Sequence, residues 1–159
     1  MSSAAEYDLE AVCARFRLPG KTSDIHPFGN GHINDTFRVV RAADGREYYY
    51  TLQRINQYVF KRPEEVMTNI ERVTRHMRRR IRAQGGDPDS RVLRLVPTLE
   101  GRYHIVDAQG ETWRIYVFID GASMYEMAPN PQVLTAAAGA FGEFQLLLAD
   151  LPGERLHET

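Results

Sequence analysis

The sequence lacks the features that mark several common classes of protein. Its 159 residues include a single cysteine, Cys13, which excludes an internal disulfide framework and a cysteine-rich zinc site. No apolar run approaches the ~18 residues that cross a membrane, and the first residues lack the basic and apolar regions of a secretory signal. These absences predict a cytoplasmic protein without a membrane partner, in which Cys13 is a buried and inert thiol.

The sequence also has no excess of positive or of negative charge. Lysine and arginine total 20, aspartate and glutamate total 21, and the formal net charge is -1. A near-neutral chain has no general electrostatic attraction to nucleic acid. Six arginines between Arg72 and Arg82 are a local exception, but they fall in the C-terminal half of a predicted helix, where cations complement the helix dipole. We therefore expect no nucleic-acid partner.

Two turn signals divide much of the chain into β-hairpins. Asp44-Gly45 and Gln109-Gly110 each separate two segments rich in β-branched and aromatic residues, which is a strong hairpin pattern. Extended chain is also expected from Ile25 onward. Further strands are expected at residues 36–40, 48–52, 92–96, 103–106 and 112–118. The sequence therefore predicts an antiparallel sheet of about five strands.

Three segments have the periodicity of helices. A short helix is expected over residues 9–16, a long helix from Pro63 to the glycine pair at 85–86, and a trailing helix from Asn130-Pro131 to about Asp150. The long helix carries one apolar stripe that should pack on the sheet, formed by Val66, Ile70, Val73, Met77 and Ile81. Together these elements predict an α+β fold, with one helix packed on the sheet and one trailing helix.

The segment from Gly29 to Asn34, Gly-Asn-Gly-His-Ile-Asn, is the most informative for function. Glycines spaced in this way let the backbone approach a ligand closely, and consecutive N–H groups in such a loop can hold phosphate oxygens. The same spacing also occurs in tight hairpins that bind nothing. On its own the motif leaves both interpretations open.

The order of the elements favours the phosphate interpretation. Strand, glycine loop, strand, turn, strand, helix, further strands and an Asp120-Gly121 connector form the order of a protein-kinase-like N-terminal lobe. Residues 29–36, 52–56, 59–60 and 63–67 resemble the aminoglycoside phosphotransferase and choline kinase superfamily, most closely its N-acetylhexosamine 1-kinase branch. Residues 140–145 resemble the first helix of that family's C-terminal lobe.

The resemblance implies transfer of the ATP γ-phosphate to a small hydroxyl compound, here an N-acetylhexosamine or a related sugar. The alternatives are a non-catalytic nucleotide-binding or protein-docking lobe, and a choline or aminoglycoside kinase. In the complete enzyme, the glycine loop would hold the phosphates and the segment 118–122 would border the adenine. The residues assigned to the nucleotide are Gly29, Asn30, Gly31, His32, Ile33, Asn34, Gln53, Arg54, Glu71, Phe118, Ile119, Asp120 and Ala122.

Two positions depart from the family pattern, those of the third loop glycine and of the third-strand lysine. Asn34 replaces the third glycine of the loop, either because asparagine tolerates left-handed backbone angles or as a simple turn former. The third-strand lysine is missing: regular alternation turns Gln53 toward the ligand, whereas a one-residue bulge would present Arg54, the better phosphate partner by charge. Glu71 is the candidate for the helix glutamate, although an exposed pair with Arg75 explains it equally well.

The catalytic machinery of the family has no match in the sequence. None of the five histidines is followed two residues later by aspartate, so the His-x-Asp motif is missing, and no two histidines have the spacing of a helical metal site. The family places its catalytic aspartate and its Mg²⁺ ligands in a C-terminal lobe. We therefore expect an N-terminal fragment that is inactive alone, with the kinase-like lobe at residues 1–128 and the start of the next lobe at 129–159. Phe141, Phe144 and Leu148 of the trailing helix would then be partly exposed and favour self-association.

Overall fold

The fold is α+β and is built on one antiparallel sheet. A computed structural model describes residues 7–29, 33–122, 125 and 127–158. Five strands follow the order β1-β2-β3-β5-β4, and all neighbours are antiparallel. The elements are α1 (Leu9–Ala14), β1 (Lys21–Pro27), β2 (Asp35–Ala43), β3 (Arg46–Ile55), α2 (Pro63–Ala83), β4 (Ile105–Val106), β5 (Thr112–Val117) and α3 (Pro131–Leu148), with a 3-10 turn at Pro88–Ser90. The predicted five-stranded antiparallel sheet and the three predicted helices are confirmed.

The chain divides into two compact units. The first contains Met1–Glu71, Leu93–Phe118 and His157–Thr159, and therefore the whole sheet with α1 and the start of α2. The second contains Arg72–Val92 and Ile119–Leu156, and therefore the rest of α2 with α3. The candidate residues on the sheet all belong to the first unit.

The β2–β3 hairpin follows from its turn residues. Asp44 and Gly45 both have positive φ, 52° and 72°, the geometry of a two-residue turn whose twist matches that of the strands. Pairing then runs in unbroken register from Ala43↔Arg46 to Asp35↔Arg54. Since no bulge interrupts β3, its side chains alternate strictly between the two faces of the sheet.

The β4–β5 hairpin is tied together by the carboxylate of Asp107. It accepts hydrogen bonds from the backbone N–H of Gln109 at 2.9 Å, from that of Glu111 at 2.8 Å and from the indole N–H of Trp113 at 2.7 Å. Gly110 completes the turn with a φ of 84°. The predicted hairpin is confirmed, although β4 is shorter than expected.

The strand predicted at residues 92–96 is wrong. Only Leu95 forms an isolated β-bridge, to Tyr116 of β5. Val92 is held at the other end of the segment, because its N–H donates to the carbonyl of Pro88 in the 3-10 turn. Pro97 has no N–H to donate, so it cannot extend a ladder at the C-terminal end. The segment is therefore fixed at both ends and runs beside β5 without becoming a strand.

The core of the first unit lies between α1 and one face of the sheet. Trp113, 0% exposed, is at its centre, and the ring of Tyr7 meets it edge-on at 5.2 Å between centroids. The predicted helix at 9–16 is confirmed, but it ends at Ala14 because Phe16 enters a β-bridge with Thr98. The buried members of this core are Leu9, Val12, Cys13, Phe16, Phe37, Val39, Leu52, Val96, Ile105, Trp113 and Ile115.

Helix α2 ends at the glycine pair that the sequence predicts. Gly85 has a φ of 76°, and the N–H groups of Gly85 and Gly86 donate to the carbonyls of Arg82 and Ile81. These two bonds satisfy carbonyls that would otherwise lack a partner at the helix end. In the second unit the end of α2 contributes to a small cluster formed by Met77, Ile81, Val92 and Leu147.

Helix α3 leaves most of its apolar surface exposed. Its N-terminus is capped as expected, since the Asn130 side chain accepts a hydrogen bond from the N–H of Val133 at 2.9 Å. Leu147 is its buried residue, whereas Leu134 and Phe141 are 63% and 62% exposed. No helix within the described ranges is long and apolar enough to cross a membrane.

Candidate functional site

The two faces of the sheet differ in chemistry. One face packs against α1 and forms the core described above. The other, which we call the polar face, is defined by two rows of residues paired across β2, β3 and β5. The first row is Thr36, Gln53 and Arg114, and the second row is Arg38, Thr51 and Tyr116. The glycine loop joins β1 to β2 at the end of the first row.

Gln53 is the centre of the first row. Its side-chain N–H donates to the hydroxyl of Thr36 at 3.0 Å, and its amide oxygen accepts from Nε and Nη2 of Arg114 at 3.1 and 2.8 Å. The remaining nitrogen of Arg114 lies 4.0 Å from the sulfur of Met67 in α2. Gln53 therefore fixes the orientation of a guanidinium that comes from the neighbouring strand.

Arg114 is a partly buried cation whose hydrogen-bond acceptors are neutral. No ion pair joins it to a carboxylate in the described part of the chain. Burial lowers its pKa, and the nearby Tyr116 opposes this change, but a guanidinium stays protonated at any physiological pH. A buried charge without an opposite charge is costly, and a bound anion would relieve that cost.

Arg54 is in a contrasting environment on the core face. Its Nε and Nη2 donate to the carboxylate of Asp35 at 2.8 and 2.6 Å, and its Nη1 donates to Glu111 at 2.8 Å. The guanidinium also lies 5.3 Å from the centre of the Tyr7 ring. Burial alone would lower the pKa of Arg54, but the Glu111 and Asp35 carboxylates outweigh it and raise the pKa. All three nitrogens of the Arg54 guanidinium donate to carboxylates, so Arg54 has a structural role.

Arg38, in the second row, lies close to two aromatic rings. Its guanidinium carbon lies 4.7 Å from the centre of the Tyr49 ring and 4.9 Å from that of Phe118. The Nε of Arg38 is buried without a hydrogen-bond partner, a state that costs about 1–3 kcal/mol. Phe28, at the start of the glycine loop, packs edge-on against Phe118 with 5.2 Å between centroids. The Arg38 guanidinium therefore lies against an aromatic cluster, and one of its donors has no acceptor.

The described ends of the glycine loop are anchored to the first row. The backbone N–H of Phe28 donates to the carbonyl of Thr36 at 2.9 Å, and Gly29 has a φ of 82°. Ile33 is 53% exposed. The Asn34 side chain accepts from the N–H of Asn56 at 3.0 Å, and its own φ is not positive, so it acts as a turn anchor rather than as a left-handed glycine substitute. Asn30, Gly31 and His32, also assigned to the nucleotide, lie outside the described residues.

The negative charge of Glu71 acts on His104. Burial lowers the pKa of His104, and the negative charges of Glu71 and Glu64 oppose this change. The Nδ1 of His104 is buried without a partner. The hydrogen bonds of Gln53 go to Thr36 and Arg114 instead. Among the described residues, the side chain of Gln53 forms no hydrogen bond with Glu71.

The predicted adenine segment begins at the end of the sheet. The N–H of Phe118 donates to the carbonyl of Tyr49 at 3.0 Å and continues the ladder between β3 and β5. Phe118 is the last residue of its segment in the first unit, and Ile119, Asp120 and Ala122 belong to the second. Ile119 is 59% exposed, and the Asp120 carboxylate accepts from the N–H of the following glycine at 2.9 Å.

Two arginines of the polar face, Arg38 and Arg114, are absent from the residues that sequence reasoning assigned to the nucleotide. The alternation in β5 does carry a signal, because Trp113 and Ile115 are apolar and the residues between and after them, Arg114 and Tyr116, are polar. Alternation tells which side chains share a face. It does not tell that β5 pairs with β3, and that pairing is what brings Arg114 to Gln53.

No family model matches the chain. Within residues 7–29, 33–122, 125 and 127–158, no group of three histidine, cysteine, aspartate or glutamate side chains could hold a metal ion. The polar face offers guanidinium groups, hydroxyls and an amide. This arrangement can bind an anion and orient it, and within the described residues it brings no general base to that anion.

Proposed function

We propose that this chain is a cytoplasmic, kinase-like N-terminal lobe that binds the phosphates of a nucleoside triphosphate on its polar face. The resemblance of its motifs to the aminoglycoside phosphotransferase and choline kinase superfamily supports ATP as the nucleotide, with Mg²⁺ accompanying it. The choice of a sugar such as an N-acetylhexosamine as the phosphate acceptor rests on the resemblance alone. The contacts of the polar face support the nucleotide-binding part of this proposal.

The observation that carries this proposal is the state of Arg114. It is a partly buried guanidinium with no carboxylate partner among the described residues, and Gln53 orients it at 2.8 Å. Arginine binds phosphate oxygens well because its donors are fixed in a plane. Gln53 stands where the family has its third-strand lysine, so a cation from the adjacent strand would supply the missing charge.

Thr36 links this cation to the glycine loop. Its carbonyl accepts the N–H of Phe28 at 2.9 Å, and its hydroxyl accepts from Gln53 at 3.0 Å. The start of the loop and the side chain of Gln53 are therefore both hydrogen-bonded to Thr36. A phosphate bound at Arg114 would therefore lie close to the start of the loop, and no carboxylate among the described residues competes for this guanidinium.

The test is a calorimetric titration of the full chain with Mg²⁺·ATP and with Mg²⁺·tripolyphosphate. We expect both ligands to bind, and Arg114→Gln to weaken both by about ten- to a hundredfold, since hydrogen bonds to charged groups contribute about 1.5–3 kcal/mol. The matched control is Arg46→Gln, which removes one exposed positive charge at the other end of β3. It should leave both affinities unchanged.

Circular dichroism of each variant separates loss of binding from loss of the fold. If the wild-type chain binds neither ligand, the proposal is rejected. If Arg114→Gln and Arg46→Gln weaken the two affinities equally, the interaction is general charge attraction. That result would also reject a specific phosphate site.

A second candidate function, a protein-docking lobe, is favoured by one observation. Helix α3 exposes Leu134, Phe141 and Leu146, at 63%, 62% and 72%, and the rings of Phe141 and Phe144 stack at 6.3 Å. Exposed apolar surface of this kind is typical of a face that is covered in an assembly. Helix α3 belongs to the second compact unit and the polar face to the first.

A further inference from the structure

Strand β1 forms one edge of the sheet. It pairs with β2 on one side, and no strand of the described residues pairs with its other side. In an antiparallel ladder, alternate residues turn their N–H and C=O groups away from the neighbouring strand. No described group outside the ladder to β2 forms a backbone hydrogen bond with residues 21–27. The outward backbone groups of β1 are therefore open to an extended segment, which would add to the sheet as a further strand.

A groove of about 480 Å³ lies beside this edge. It is lined by residues 22–25 of β1 and by residues 7–10 at the start of α1. Both sets of residues belong to the first compact unit. Four residues of a strand span about 13 Å, so the groove accommodates a short extended segment rather than a long strand.

Two features of β1 also limit the length of such a segment. A bulge shifts the register between Thr22 and Asp24, and Pro27 ends the strand without an N–H group. Bulges and prolines protect sheet edges against uncontrolled pairing. Between these two features, Asp24, Ile25 and His26 keep a regular register with β2. The edge therefore suits a short segment, whose binding needs side-chain contacts in addition to backbone hydrogen bonds.

The charged side chains that line the groove are all acidic. They are Asp8, Glu10 and Asp24, and the lining contains no lysine or arginine. Asp8 caps α1 by accepting from the N–H of Ala11 at 3.0 Å, and a carboxylate oxygen of Asp24 lies 2.7 Å from Nδ1 of His26. Glu10 has no ion-pair partner in the described part of the chain. The groove therefore attracts a positively charged segment.

The neighbouring cation, Arg41, is directed at the backbone of its own chain. Its Nε donates to the carbonyl of Pro19 at 3.0 Å, and its Nη2 donates to the carbonyl of Gly20. Its Nη1 donates to the hydroxyl of Thr22 at 2.5 Å. Since all three nitrogens bond to neutral oxygens, Arg41 forms no ion pair with the carboxylates of the groove.

We propose that the edge of β1 binds a short extended segment of a partner protein that carries several lysine or arginine side chains. The segment would add to the sheet beside β1, and its basic side chains would pair with Asp24 and Glu10. Residues 1–6, which precede the groove in the sequence, contain no lysine or arginine, so charge complementarity favours a separate chain. This edge is not the phosphate site, because Gln53 and Arg114 lie on β3 and β5, two and three strands away.

The experiment titrates the full chain into the labelled peptide Lys-Thr-Lys-Val-Lys-Thr-Lys and measures fluorescence anisotropy. One control peptide has glutamate in place of every lysine. A second control peptide keeps the lysines but is methylated at every backbone nitrogen, so it has the same charge and no N–H with which to form a ladder. We expect the lysine peptide to bind, and each control peptide to bind at least about tenfold more weakly, since both the charges and several backbone hydrogen bonds contribute.

Variants of the chain locate the binding site. Asp24→Asn with Glu10→Gln removes two carboxylates of the groove and leaves the Asp8 cap of α1 intact. It should weaken the lysine peptide by about two- to thirtyfold, the equivalent of two exposed ion pairs. The matched control, Glu100→Gln with Glu154→Gln, removes two exposed carboxylates outside the groove and should leave the affinity unchanged. Circular dichroism of both variants verifies that the fold is retained.

Three results would overturn the inference. If the wild-type chain does not bind the lysine peptide, the edge of β1 is not a site for a basic segment. If the methylated peptide binds as tightly as the lysine peptide, the interaction is charge attraction without strand addition. If the two double variants weaken binding equally, the carboxylates of the groove have no special part in it. The phosphate titrations are independent of all three results.

Discussion

Replacement of Arg54 by methionine tests whether the arginines on the two faces of the sheet contribute differently to stability. Arg54→Met removes the guanidinium and keeps a long apolar side chain. It leaves the carboxylates of Asp35 and Glu111 without their shared cation. Arg114→Met makes the same chemical change on the polar face, where no carboxylate among the described residues loses a partner.

The expected magnitudes follow from burial. The side chains of Arg54, Asp35 and Glu111 are 16%, 25% and 27% exposed. Breaking a fully buried ion pair costs about 3–5 kcal/mol, and partial hydration of these carboxylates reduces that to about 2–4 kcal/mol. Arg114→Met loses two hydrogen bonds to a neutral amide but also removes a poorly hydrated charge. We expect it to cost about 1 kcal/mol or less.

Urea unfolding followed by tryptophan fluorescence measures both effects. Trp113 is the single tryptophan, and it is fully buried in the core of the first unit. With a slope of about 2 kcal/mol per molar urea, a loss of 3 kcal/mol shifts the midpoint by about 1.5 M. Arg114→Met should shift it by about 0.5 M or less.

A rescue experiment identifies the cause of the loss. Adding Asp35→Asn and Glu111→Gln to Arg54→Met removes the uncompensated charges and should recover a large part of the lost stability. The reasoning is refuted if Arg54→Met and Arg114→Met shift the midpoint equally. It is also refuted if the triple variant is no more stable than Arg54→Met.

Two further predictions concern the second unit. The Arg80 guanidinium, 2.5 Å from the Asp150 carboxylate, holds the pKa of Asp150 below its usual value, and His76 at 3.1 Å adds to this effect. Because the folded pKa is the lower one, the stabilisation is present above the unfolded pKa and is lost as the pH falls through the folded pKa. Asp150→Asn should therefore unfold at a lower urea concentration than wild type at pH 7, as measured by circular dichroism. The difference should shrink as the pH falls through the folded pKa of Asp150. By sedimentation equilibrium, the wild-type chain should self-associate, and the double variant Leu134→Ser, Phe141→Ser should do so more weakly. A wild-type monomer at high concentration contradicts this prediction.

The sheet could be predicted where local residues determine it. Asp44-Gly45 fixes both the position of the β2–β3 turn and the register of its strands, because few other residues adopt positive φ at both positions. The ends of α2 are equally local, since a proline begins it and a glycine pair ends it. Residues 92–96 have the composition of a strand, but only Leu95 forms a β-bridge to β5. The N–H of Val92 bonds to Pro88 instead, and Pro97 has no N–H with which to continue the ladder.

The site was less accessible to sequence reasoning because it depends on contacts between distant residues. Regular alternation correctly indicated that Gln53 and Arg54 lie on opposite faces. Charge alone favoured Arg54 as a phosphate partner, but its carboxylates come from Asp35 and Glu111, which are far away in the sequence. The order β3-β5, which brings Arg114 to Gln53, is likewise a property of the whole sheet.

Arg54 and Arg114 differ in what a bound anion would displace. Both are strand residues, both are partly buried, and their side chains present the same donors. An anion at Arg54 would have to displace Asp35 or Glu111, and the displaced carboxylate would then lack its cation. An anion at Arg114 displaces no opposite charge among the described residues, and Gln53 has already oriented the guanidinium. The gain from binding an anion is therefore larger at Arg114, although Arg54 is the arginine that lies next to Gln53 in the sequence.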